Sequence, residues 1–190
     1  MPTARRPLSL VLLALSTCAA SAPGAQSLQL GGILTGLDID RIVQIAAAYG
    51  PAERRTDEFD GSAWIRAESD GIIYSIAMRN CQDGQNCTSV QFRAWWNSEG
   101  AHTLQAMNDW NRERRFSSAY LDSDDNATIS YDVNLAGGVT AVNFDDTVQW
   151  WLAVLDEFRG LVIDPGYAAA ASGQTSMPMP PAETSPVLSK

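Results

Sequence analysis

Apolar positions change period several times along the chain, and each change predicts an element. In LTGLDIDRIVQIAAAYG (34–50), Leu37, Ile42, Ile45, Ala46 and Tyr49 recur at helical spacing, with Asp38 or Asp40 as N-cap and Gly50-Pro51 as a stop. From residue 63 the period falls to two. Ala63, Ile65 and Ala67 alternate with Trp64, Arg66 and Glu68, and SDG turns the chain into IIYSIAMRN, which predicts a hairpin. A tight turn at Ser69-Asp70 or Asp70-Gly71 puts Ile65 opposite Tyr74 or Ile76. If Cys81 lies opposite Cys87 in the next hairpin, Met78 pairs with Val90, Ile76 with Phe92 and Tyr74 with Ala94. Both turn arguments give the same core face: Ile65, Tyr74, Ile76, Met78, Val90 and Phe92.

The opposite face collects Trp64, Arg66, Ile73, Ser75, Ala77, Arg79, Gln91, Arg93 and Trp95. It is too aromatic for a plain wetted surface and too charged for a second core. Either a helix or the arginine stems cover it, or it receives a partner.

A second helix is predicted from Ser98 or Glu99, with Leu104, Met107, Asn108 and Asn111 on its inward stripe. Asn108 and Asn111 then have an architectural task, bonding backbone groups where the helix gives way to the strand SSAYLD. Arg112, Arg114 and Arg115 fall in the last turn, where the helix dipole favours positive charge; an arginine cluster gripping an acidic partner is the competing reading. SSAYLD turns through SDDN into ATISYDVNL, a further hairpin that ends at Gly137-Gly138. In TAVNFDDTVQWWLAVLDEF, Phe144, Val148, Trp151, Leu152, Leu155 and Phe158 mark a last helix, capped by Thr140 or Asn143. The expected fold is α+β: an antiparallel sheet of about five strands with helices packed on it, in the order α-β-β-β-α-β-β-α.

The chain ends change the picture. MPTARRPLSLVLLALSTCAASAPGAQ reads as Arg5-Arg6, a short apolar run and small residues, the order of a secretory signal peptide over 1–25, with cleavage among Ala20 to Ala25. LSTC around Cys18 is a weak lipobox, so membrane attachment is expected only if Cys18 is lipidated. From residue 164 to 190 the composition of small residues, serines, threonines and prolines predicts a disordered tail, leaving a single domain over 28–163. The expected location is the periplasm or the outside of the cell.

The net charge of −9 becomes about −11 without the leader, which argues against nucleic acid as a partner. Export leaves Cys81 and Cys87 in NCQDGQNC as the mature cysteines, and an oxidising compartment favours a disulfide between them. Two thiols and the lone His102 are too few for a structural zinc shell, so no metal or other cofactor is expected. DSDDN (122–126) imitates the start of a calcium loop, but Ala127 and Val133 stand where that loop needs glycine and glutamate. Asp57 with Asp60, or Asp122 with Asp132, are pairs of the kind that hydrolyse glycosides, yet each lies in or near a turn where solvated carboxylates are normal. No nucleophile elbow, zinc helix or phosphate loop occurs, and the expectation is a protein without enzymatic activity.

SVQFRAWW, LQAMNDWNRERRFSSAYLD and ISYDVNLAGGV, followed by a tryptophan-bearing last helix, resemble the bacterial YbjN family over about 36–160. The segment with Asn108, Trp110, Asn111, Arg115, Phe116, Tyr120 and Leu121 carries the resemblance most specifically. It implies a fold similar to type III secretion chaperones and a protein-binding or regulatory role without catalytic residues. The leading expectation is an exported, chaperone-like or regulatory domain. Its unidentified protein or peptide partner would be captured at Trp64, Arg66, Arg93 and Trp95, or beside the second helix at Arg112 and Arg115. The alternative is an envelope small-ligand binder or hydrolase using the Arg and Asp residues around 101–116. A homodimer through the last helix or a sheet edge is the third expectation.

Overall fold

The computed structural model describes residues 31–82, 84, 86–97 and 101–164. The predicted leader, Cys18 and all of the predicted tail except Asp164 lie outside the described residues.

The first described strand, β1 (Ile33–Leu34), leads into α1 (Ile39–Ala46). Asp38 flanks α1, but its carboxylate accepts from the Thr35 N–H and hydroxyl, both at 2.8 Å, and so fixes the turn before the helix rather than capping it. Four strands follow: β2 (Ala52–Thr56), β3 (Ala63–Ser69), β4 (Ile72–Arg79) and β5 (Ser89–Trp96). Then come α2 (Leu104–Glu113), β6 (Ser118–Leu121), β7 (Ala127–Asn134), β8 (Val139–Thr140) and α3 (Ala141–Phe158), which runs on into a π-helical turn, Arg159–Ile163. Thr140 caps α3 by accepting the Asn143 N–H at 3.1 Å.

Six strands form one antiparallel sheet in the order β2-β3-β4-β5-β7-β6, and β1 pairs with β8 as a separate ribbon. Asp70 and Gly71 both have positive φ, +49° and +76°, the two-residue turn whose twist suits a hairpin. That turn sets Ile65 opposite Ile76, and β4–β5 pairing sets Ile76 opposite Phe92 and Met78 opposite Val90. All six expected core residues are buried.

The core lies between this face and α3. Phe92 meets Phe144 and Trp151 with ring centroids 6.0 and 5.5 Å apart, Tyr74 meets Trp151 edge-on at 6.0 Å, and Trp96 meets Phe158 at 5.6 Å. Each such aromatic contributes about 1.5–3 kcal/mol through burial. α1 adds Ile39, Ile42, Ile45 and Ala46, and the Tyr49 hydroxyl beyond it donates to Asp145 of α3 at 2.7 Å.

Three expectations need correcting. The sheet has six strands, because AERRT forms β2, an edge strand. The second helix begins at Leu104, where the Thr103 hydroxyl accepts the Ala106 N–H at 3.2 Å. Its inward residues are Met107 and Trp110, whereas Leu104, Asn108 and Asn111 are exposed. Trp110 turns inward because Phe158 receives it at 5.0 Å, edge to face, and Ser117 accepts its indole N–H at 3.0 Å.

The outer sheet face as candidate functional site

Strand register determines which side chains share the outer face. Across its middle runs the row Glu53, Arg66, Ser75, Arg93, Ser130 and Ser118; beside it lies Arg55, Trp64, Ala77, Gln91 and Asp132. On the other side Trp95 pairs with Thr128, which pairs with Tyr120. The central strand β4 contributes only Ser75 and Ala77 to these rows. The small side chains of Ser75 and Ala77 thus leave a short trough on β4, closed along the strand by Ile73 and Arg79, with Trp64 and Arg66 on its β3 side and Gln91, Arg93 and Trp95 on its β5 side.

No described helix covers this trough, since the aromatic residues of α3 and the buried residues of α1 pack against the opposite face. Trp95 is 51% exposed and Ile73 is 49% exposed. Local partners hold the guanidinium groups in place. Arg93 donates to Asp122 at 3.3 Å and its Cζ lies 5.6 Å from the Trp95 ring centre, while its Nε–H is buried with no hydrogen-bond partner among the described residues. Arg66 lies 3.9 Å from Glu68, a looser pair. Gln91 donates to Asp132 at 3.1 Å.

Asp122 serves both the turn and the site. Burial pushes its carboxyl up, but the N–H groups of Asn126 and Asp124, the Asn126 side chain and the Arg93 guanidinium outweigh this and hold it below its ordinary value. Its oxygens are occupied by the turn and by Arg93, which removes the anchor of the calcium-loop reading. The outer face as a whole presents indole, phenol and aliphatic surface between balanced charges. Such a surface suits docking of an extended segment that offers apolar side chains and an acidic group for Arg66 or Arg93.

The residues expected to bind a partner fall into two groups. Trp64, Arg66, Arg93 and Trp95 share the outer face, with the two tryptophans on opposite sides of β4. Arg112 and Arg115 lie apart from them, on α2 and just beyond it. Arg112 pairs with Asp109 at 2.8 Å and Glu113 at 3.1 Å, and Arg115 stacks over Phe116 at 4.8 Å. Arg114 is a tie between helices: its Nε donates to Glu157 of α3 at 2.7 Å.

Of the two asparagines, Asn111 does the architectural work. It accepts the Ala119 N–H at 2.7 Å and donates to the Ala119 carbonyl at 2.8 Å, standing in for a neighbouring strand at the β6 edge. Asn108 and Asn111 are both exposed, so the predicted place of each on the inward stripe is wrong, although Asn111 keeps the predicted bonding role. Cys81 and Cys87 are at bonding distance, with S–S 2.13 Å. Sequence reasoning missed Tyr120, which extends the outer face on β6; the alternation of Ser118 and Tyr120 with Ala119 and Leu121 carried that signal.

Residues 38–163 match the model of the YbjN family, described as "Putative bacterial sensory transduction regulator". No curated protein and no solved structure matches the chain.

Proposed function

The chain belongs to the YbjN family, and from that premise we propose that it is an exported, non-catalytic regulatory or chaperone-like protein that captures a protein or peptide on the outer face of its sheet. The family description supports a regulatory or binding role and partners that are proteins. The trough supports the choice of surface: a sheet face with no described helix over it, carrying two tryptophans, Ile73 and Tyr120 among paired charges, is apolar beyond what solubility asks for. Export rests on the order of charges, apolar run and small residues over 1–25.

Peptides selected on the purified full chain from a displayed random library test the surface. Binding should weaken about tenfold or more in Trp95→Ala and in Arg66→Ala/Arg93→Ala, at unchanged melting temperature. Equal affinity in all variants would remove the outer face as the site. Cell fractionation tests the location: a product shortened at its N-terminus in the envelope or medium is expected, and a full-length cytoplasmic product would contradict it.

A further inference from the structure

Phe59 stands fully exposed at the apex of the β2–β3 loop. Hydrogen bonds within the loop hold it there. The Asp57 N–H donates to the Ser62 carbonyl at 2.8 Å and the Gly61 N–H to the Asp57 carbonyl at 3.0 Å. Asp57 Oδ1 accepts from the Phe59 N–H, and Asp60 Oδ1 from the Ser62 N–H, each at 2.8 Å. Almost any polar residue would satisfy that turn, so local geometry does not call for phenylalanine.

A single exposed aromatic is ordinary on a protein surface, but the loop that carries Phe59 borders a partly apolar cleft. Next to its loop opens a cleft of about 310 Å³ where apolar Leu37, Ile39 and Met78 line one part and polar Asp40, Thr56 and Asn86 another. Ile39, Met78 and Cys87 are core residues and form its floor, while Leu37 is 65% exposed and forms a wall. A knob and a hollow thus lie side by side on a preorganised frame. The charge around them is acidic: Asp40, Asp57, Glu58 and Asp60 outnumber Arg54 and Arg79, and Arg54 is already paired with Asp40 at 3.3 Å.

We propose that the Phe59 apex and the adjoining cleft form a second docking site, for a basic segment of another protein that carries an apolar side chain. The side chain enters the cleft, Phe59 covers it, and the surrounding carboxylates meet its lysine or arginine residues. The same charges disfavour an anionic membrane surface, and a second copy of a chain with net charge −9. The site is separate from the outer face and does not depend on the reading of that face.

Fluorescence anisotropy of a labelled 12-residue peptide of alternating leucine and arginine, titrated with the full chain, tests this. Phe59→Ala and Leu37→Ser should each weaken binding roughly tenfold with the melting temperature unchanged, because both side chains are exposed. Raising salt from about 50 to about 300 mM should weaken it further, and Trp95→Ala should leave it unchanged. Equal binding by Phe59→Ala, which keeps every charge, would overturn the proposal, as would equal binding of a leucine-glutamate peptide or loss of binding in Trp95→Ala. A wild-type dimer in light scattering that Phe59→Ala dissolves would also overturn it, by assigning the site to a second copy.

Discussion

Asn108 and Asn111 are three residues apart on one helix and should respond oppositely to mutation. Asn111→Ala leaves the Ala119 N–H and carbonyl without protein partners and opens the β6 edge, so chemical denaturation should show a loss of about 1–2 kcal/mol. Asn108→Ala removes an exposed side chain and should stay within about 0.5 kcal/mol of the wild type. Similar losses in both would mean that the edge bond is not what holds α2 to β6. The composition of this segment announced buried or bonded asparagine. Which of the two it was depended on the helix phase, and that was set by Phe158, far away in sequence, receiving Trp110.

Tyr74 gives a residue-scale prediction about pH. Burial pushes its hydroxyl up to about 12, and that hydroxyl has no hydrogen-bond partner among the described residues. Tyr49 is also raised to about 12, by burial first and then by its hydrogen bond to Asp145. A pKa raised on folding means the native state holds its proton more tightly than the unfolded chain. The associated stability is complete below pH 10 and is lost as pH climbs from about 10 to 12. Denaturation at pH 7 and pH 11 should show this loss, reduced in Tyr74→Phe. At pH 7 that substitution should be neutral or stabilising, because it removes an unpaired buried hydroxyl; a clear loss at pH 7 would indicate an unseen partner for Tyr74.

At the scale of elements, the period-two strands β3, β4 and β5 were legible because each buries one face only. The β4–β5 register followed from the cysteine pair, whereas the β3–β4 register stayed open between two turns until the positive φ of Asp70 and Gly71 decided it. β2 was not legible. It is an edge strand whose sequence, AERRT, holds one apolar residue, so its place is set by pairing to β3 rather than by burial, and its charges suit an edge facing water. β1 and β8 are two residues each, too short for any period to register. They matter through the segment between β1 and α1, where Gly36 bridges to Cys87. A Cβ on Gly36 would sit 1.8 Å from the Cys87 carbonyl oxygen, backbone that has little freedom beside the 81–87 link. Gly36→Ala should therefore cost about 1–3 kcal/mol in a denaturant titration. Cys81→Ser/Cys87→Ser should cost about 2 kcal/mol for so short a loop. Unchanged stability in Gly36→Ala would show that the 36–87 contact is not retained in solution.

Over the whole molecule, the described residues form two layers, helices on one side of a six-stranded sheet and solvent on the other. The division of Trp64, Arg66, Arg93 and Trp95 from the core residues was legible because alternation assigns each residue a side. That Arg112 and Arg115 sit elsewhere was not, because it depends on where α2 docks. Phe59 gave no warning, since one apolar residue in a polar loop has no period. An outer face with no described helix over it accounts for the exposed apolar surface of a strongly acidic chain and, as proposed, receives the partner. The six indole N–H signals of the full chain, followed by heteronuclear NMR during titration with an outer-face peptide selected as above, test that directly. The signals of Trp64 and Trp95 should shift while those of Trp110 and Trp151, buried beneath the helices, stay in place; shifts at Trp110 or Trp151 with Trp64 and Trp95 silent would contradict it.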